Sequence, residues 1–130
     1  MKPATAKSKG RECEKAWVEF LKQNGVPNAE RRRLNGVEDR GDISGWNSSE
    51  AQEHGGWRIC SEVKSGGVIK TAEWLRELEA EIANDNSDSG HIVVRPKGKP
   101  RVEDWFVIMD VLGFMDLMSR AGFIPWQPDD

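Results

Sequence analysis

The stretch Trp57-Arg58-Ile59-Cys60-Ser61-Glu62-Val63-Lys64 constrains this chain more than any other. Its side chains repeat with a period of two, which an extended strand satisfies and a helix does not. Trp57, Ile59 and Val63 face one side of a sheet, Arg58, Glu62 and Lys64 the other. Ser65-Gly66-Gly67 ends the run. The rest of the chain must supply partner strands for this one and helices to cover it.

The flanking patterns do so. Cys13, Ala16-Trp17 and Phe20-Leu21 recur at three and four residues from Gly10 onward, one apolar stripe of a helix that Asn24-Gly25 stops. Arg31 to Gly41 is polar and reads as a loop or the entry to a strand, with an extra short strand near Val37. Asp42-Ile43-Ser44-Gly45-Trp46 is a short strand, and Asn47 to Gly56 a polar turn. Thr71 to Ala83 forms a second helix, burying Trp74, Leu75, Leu78 and Ile82 and holding Glu73, Glu77, Glu79 and Glu81 mostly outward. His91-Ile92-Val93-Val94 is a strand, Asp104 to Met109 its partner, and Val111 to Arg120 a last helix. The order α-β-β-α-β-β-α with two hairpins predicts an α/β domain whose mixed central sheet is flanked by helices.

In 130 residues this amounts to one domain, able to bury roughly two-thirds of its unfolded surface. Residues 1–9 read as a flexible basic tail, and 10–130 as a single domain. No apolar run approaches the ~20 residues of a membrane span. The basic N-terminus has no apolar stretch of the kind a secretory leader needs. Cys13 and Cys60 are therefore expected as reduced thiols of a cytoplasmic protein. With His54 and His91 they make no zinc spacing, and the absence of tyrosine removes any Tyr nucleophile.

The net charge of −3 is unlike the basic footprint of a nucleic-acid binder. Its distribution alters that judgement. Residues 1–70 hold thirteen Lys/Arg against ten Asp/Glu, and residues 71–130 six against twelve. The cations cluster as Lys7, Lys9, Arg11 and Lys15, as Arg31-Arg32-Arg33 with Arg40, and as Arg95-Pro96-Lys97-Gly98-Lys99-Pro100-Arg101. Phosphate binding needs local positive potential rather than a basic whole, and three solvated loops are the simpler reading of each cluster alone.

The residues suited to chemistry are Asp42, Glu62 and Lys64. Glu62 and Lys64 share one strand face, and a hairpin brings Asp42 beside Glu62. Two carboxylates with a carbonyl and waters make a hard-oxygen site suited to Mg²⁺ or Mn²⁺, and a neighbouring lysine would polarise water held there. Glu-x-Lys by itself carries no weight, since thirteen Glu and nine Lys in 130 residues make one such triplet an accident of composition. Its setting on a β run before a Gly-Gly break adds specificity. A surface Glu–Lys pair at the end of an edge strand is the competing reading. On the first helix Glu14 sits about 60° from Trp17, beside the buried stripe, where a carboxylate needs either a metal or a salt bridge.

Lys9-Gly10-Arg11-Glu12-Cys13-Glu14, the helix ending in Asn24-Gly25, Gly41-Asp42-Ile43 and Glu62-Val63-Lys64 together resemble the archaeal-type Holliday junction resolvases of the PD-(D/E)XK nuclease superfamily. Arg32-Arg33-Leu34-Asn35-Gly36, Asp39 to Ile43, Ala72 to Leu75, Arg95 to Lys99 and Trp105 to Met109 resemble small resolvase-like proteins of actinobacterial phages. The likeness spans about residues 9 to 120. It implies a PD-(D/E)XK core and a Mg²⁺-dependent homodimer that cuts four-way DNA junctions, in the bacterial cytoplasm if phage-encoded. Glu14, Asp42, Glu62 and Lys64 would be catalytic, and Asp42, Glu62 and Val63 would hold the metal. Lys9, Arg11, Arg31, Arg32, Arg33, Arg40, Lys97, Lys99 and Arg101 would contact DNA. Gly41 stands where the superfamily motif has proline, and the chain is more acidic than the archaeal proteins. A generic duplex or flap endonuclease, a noncatalytic DNA-binding module and a structural protein are the alternatives.

Overall fold

A computed structural model describes residues 6–32, 42–44, 46, 58–66 and 69–125. In chain order the elements are α1 (Ala6–Gln23), β1 (Glu30–Arg31), β2 (Ile43–Ser44), β3 (Ile59–Ser65), α2 (Thr71–Asp85), β4 (Ser89–Arg95), a 3₁₀ turn (Val102–Asp104), β5 (Phe106–Ile108) and α3 (Val111–Arg120). The protein is a mixed α/β structure, as its periodicities require. The strands lie in sequence order, β1-β2-β3-β4-β5, and only β3 and β4 run parallel, joined by α2. β3 pairs along its whole length with β4, from Ile59 opposite Ser89 to Ser65 opposite Arg95.

The sheet separates two apolar clusters. On one face α1 contributes Trp17, Val18 and Leu21 to a core with Ala29, Ile43 and Val93. On the other, α2 packs Trp74 and Leu78 against Cys60, Ile92 and Val94. β4 is buried from Ser89 to Val94, with helices on both sides, which accounts for its unbroken Ile-Val-Val run. Gly90 is required there: a Cβ would come within 2.9 Å of the Cys60 carbonyl oxygen and of Ile82 Cδ1. Across β3, the Trp17 indole N–H donates to Ser61 Oγ at 3.0 Å, and that oxygen lies 2.9 Å from His91 Nε2.

Local signals set the helix ends. Gly25, at φ +105°, turns the chain out of α1, and Asn24 donates its side-chain amide to the Phe20 carbonyl at 2.8 Å. Asp110 caps α3 by accepting from Gly113 N at 2.8 Å. Neither cysteine forms a disulfide. Among the described residues no helix is long and apolar enough to cross a membrane.

The extra strand expected near Val37 lies outside the described residues, which hold a short strand at Glu30–Arg31. Three expectations need adjustment. α1 begins at Ala6, so residues 6–9 are helical rather than part of a tail; Ala and Lys favour a helix without any buried stripe. α2 runs two residues beyond Ala83, to Asp85. Glu81, expected outward, is 3% exposed.

Candidate active site

The α2-facing side of β3 carries Cys60, Glu62 and Lys64; the α1-facing side carries Ile59, Ser61 and Val63. The charged face expected from the sequence is therefore covered by a helix, and Glu62 is 8% exposed. Asp42, just before β2, reaches across. It accepts from the Val63 backbone N–H at 2.8 Å, while its own N–H donates to the Ser61 carbonyl at 3.0 Å. These bonds fix the acid at the level of Glu62, where the two carboxyl groups interact.

Glu14 joins from α1. Its carboxyl neighbours that of Asp42 and accepts from Arg31 Nη2 at 3.0 Å. A metal or a salt bridge was the choice at this position; the salt bridge is present, and the second acid is present as well. Glu81 approaches Glu62 from α2. Four carboxyl groups, from α1, from the residue before β2, from β3 and from α2, thus lie in a row, Glu14, Asp42, Glu62 and Glu81. Sequence reasoning passed over Glu81, although a helical signal existed. At about 100° per residue it sits about 60° from Leu78, as close to its stripe as Glu14 is to Trp17.

Burial and crowding set the protonation. Burial, the neighbouring Glu81 carboxyl and the charge on Asp42 push Glu62 up to about 12. Glu14 is also raised, chiefly by burial and then by Asp42, with Arg31 opposing. Burial alone would lower Lys64, but Glu62, Glu77 and Glu81 together raise it, so it stays a cation. Its Nζ lies 3.3 Å from Glu77 Oε2 and 5.8 Å from the centre of the Trp74 ring.

The donors suit a hard divalent cation. Glu62 Oε2 is buried with no hydrogen-bond partner among the described residues, and Asp42 stands beside it. As the side chains lie, no three His, Cys, Asp or Glu groups among the described residues surround one ion-sized point. The fit rests on the chemistry of the donors and on the unmet oxygen.

The expected DNA-contacting cations divide into two kinds. Arg31 and Arg32 sit on successive positions of β1 and its exit and are turned inward in opposite directions. Arg31 pairs with Glu14; Arg32 Nη2 lies 3.2 Å from Asp85 Oδ1, a carboxylate that Arg58 also approaches at 3.5 Å. Both guanidinium groups are thus engaged by buried or half-buried carboxylates. Lys9, Arg11, Lys97, Lys99 and Arg101 are exposed, Arg101 paired with Glu103 at 3.0 Å. Arg33 and Arg40 lie outside the described residues. Lys97 and Lys99 project from a tight turn in which Lys99 N–H donates to the Pro96 carbonyl at 3.1 Å and Gly98 takes φ +79°. The turn adjoins the exit of β3, since Gly66 N–H donates to the Arg95 carbonyl at 2.8 Å. Arg95 itself donates to Cys13 Sγ at 3.6 Å, next to Glu14.

A cleft of about 480 Å³ lies at the other end of the parallel strands, by Ser89 and Gly90. Its rim holds Glu79, Asp88, Asp110 and Asp116, the wrong sign for phosphate. The acids near Lys64 and the basic turn occupy the opposite, C-terminal ends of β3 and β4. No family model, curated protein or solved structure matches the chain.

Proposed function

We propose that this protein is a divalent-metal-dependent endodeoxyribonuclease with a PD-(D/E)XK-type core, selective for four-way DNA junctions. The observation that carries the reading is the meeting of Asp42, Glu62 and Lys64 at the C-terminal end of β3, with Asp42 locked to the Val63 N–H at 2.8 Å. The sequence likeness to archaeal-type and phage resolvases supplies the substrate class.

Asp42, Glu62 and the Val63 carbonyl would hold Mg²⁺ or Mn²⁺, which when bound supplies charge stabilisation to phosphoryl oxygens. Glu14 flanks Asp42, and Arg31 holds Glu14 in place. Lys64 remains protonated among its carboxylates, so its part is to neutralise charge growing on the attacked phosphate rather than to remove a proton from water. Water attacks in line, leaving 5′-phosphate and 3′-hydroxyl ends. Lys9, Arg11, Lys97 and Lys99 hold the backbone of the arms, contacts that position a duplex without reading its sequence.

Symmetric cleavage of a junction requires two sites. α3 has no buried residue, and Val111, Leu112, Phe114 and Phe123 are exposed beside edge strand β5, itself carrying exposed Phe106 and Val107. This apolar face supports a homodimer.

The test compares synthetic four-way junctions with linear duplex, in Mg²⁺ and in EDTA, for wild type and Glu62→Gln. Paired symmetric nicks on the junction are expected only for wild type with Mg²⁺. Cleavage that persists in EDTA or in Glu62→Gln refutes the proposed site, and equal cutting of duplex refutes the selectivity.

A further inference from the structure

The N-terminal end of β4 opens into the cleft of about 480 Å³ between α2 and α3, a volume suited to a small organic ligand. Its floor is aliphatic. Leu75, Leu78 and Ile82 recur at three and four residues along α2 and so share one face, and Leu112 comes from α3. Its rim is acidic on both sides. Glu79 and Asp88 belong to α2 and the turn after it, Asp110 and Asp116 to the cap and middle of α3. Among the described residues that line the cleft, none is Lys, Arg or His.

Part of this charge is engaged within the protein. Asp88 accepts from the Arg58 backbone N–H at 2.7 Å, Asp110 from Gly113 N at 2.8 Å and Asp116 from Arg120 Nε at 3.3 Å. Acids alone would make only a solvated rim. A second observation comes from the bottom of the cleft. Ser89 is 6% exposed, yet among the described residues its hydroxyl makes no hydrogen bond. Buried hydroxyl groups are seldom left unbonded. A Cβ built on Gly113 would lie 3.4 Å from Ser89 Oγ, so the glycine keeps that oxygen open to the cleft.

The ligand that satisfies this arrangement carries donors and positive charge. A bare metal ion does not match, because no three His, Cys, Asp or Glu groups among the described residues surround one ion-sized point. Separate ammonium groups joined by methylenes do match. The ammonium groups donate to the hydroxyl and the rim carboxylates, and the methylenes cover the leucines and Ile82.

We infer that this cleft binds an aliphatic diamine or polyamine, with one ammonium on Ser89 Oγ and another among the rim carboxylates. The site is separate from the proposed nuclease centre and does not depend on that reading.

Calorimetry on the full-length protein at physiological ionic strength tests it, with cadaverine and spermidine as ligands and pentylamine as the singly charged control. Wild type, Ser89→Ala, Glu79→Gln and Glu12→Gln are compared; Glu12 is an exposed acid of α1, remote from the cleft. Far-UV circular dichroism identifies the variants that are folded. Saturable binding of both amines is expected for wild type and Glu12→Gln, with pentylamine at least tenfold weaker. Ser89→Ala should weaken cadaverine at least tenfold, as for a hydrogen bond to a charged group, and Glu79→Gln about threefold, as for an exposed ion pair. Wild-type affinity in either Ser89→Ala or Glu79→Gln, when folded, overturns the assignment. So does pentylamine binding as tightly as cadaverine, equal weakening in Glu12→Gln, or no saturable binding at millimolar ligand.

Discussion

Replacing Glu62 by Gln should stabilise the metal-free protein while destroying its proposed activity. Glu62 is pushed up to about 12 by burial, by the neighbouring Glu81 carboxyl and by the charge of Asp42. The unfolded chain releases that proton above about pH 4.5, whereas the folded protein keeps it. The favourable contribution is complete below pH 4.5 and is lost as pH rises toward 12. At about 1.4 kcal/mol per pH unit, moving from pH 4.5 to 7.5 removes on the order of 4 kcal/mol. Gln is nearly isosteric, cannot ionise, and relieves Asp42 and Glu81 at the same time. Differential scanning fluorimetry in EDTA should give the two proteins similar midpoints near pH 4.5. By pH 7.5 the variant should lie higher by roughly 10 °C, given a few degrees per kcal/mol for a domain of this size. Parallel wild-type and variant curves between pH 5 and 8, or a variant less stable at pH 8, would refute the account of Glu62 as a buried, crowded acid.

Three other tests address different parts of the molecule. Burial lowers His91 to about 4, so stability should be complete above about pH 6.5 and fall by roughly 3 kcal/mol as pH drops toward 4; urea unfolding of His91→Gln should lack that loss. Asp85→Ala leaves Arg32 and Arg58 without their shared carboxylate and should cost about 3 kcal/mol in urea unfolding, against no more than about 0.5 for the exposed Arg101→Ala. Lys97→Ala with Lys99→Ala should weaken junction binding and flatten its log–log salt dependence by about 1–2, read by fluorescence anisotropy, while Mn²⁺ binding is unchanged.

α1, α2 and β3 could be read from the sequence because each buries a regular stripe or face, β4 because it is one continuous apolar run between turn signals. α3 was legible from its apolar spacing and its ends although none of its residues is buried. β1 and β2 are two residues each, too short for any period, and exist only because β3 offers an edge. Asp42, Glu62 and Lys64 were legible as residue types, and hairpin geometry was enough to place Asp42 by Glu62. What lay beyond the sequence was the helix on the other side. Which face of β3 α2 covers is decided by tertiary packing, and that choice buries Glu62 and turns Glu81 inward. Arg31 and Arg32 show the same limit. As sequence they are two more cations in a basic cluster, but strand alternation sends one to Glu14 and the other to Asp85.

The distribution of the four acids along the chain has a consequence for biosynthesis. Residues 14, 42, 62 and 81 belong to separate segments; the β2–β3 pair brings Asp42 to Glu62, while Glu14 and Glu81 join only from α1 and α2. Asp42 is oriented only when β3 is in place, and Glu62 is enclosed only when α2 has crossed to β4. A chain emerging N-terminus first assembles these long-range contacts last. Truncated products and partly folded chains would therefore be inert toward DNA, and any hydrolytic capacity would arise only with the complete domain.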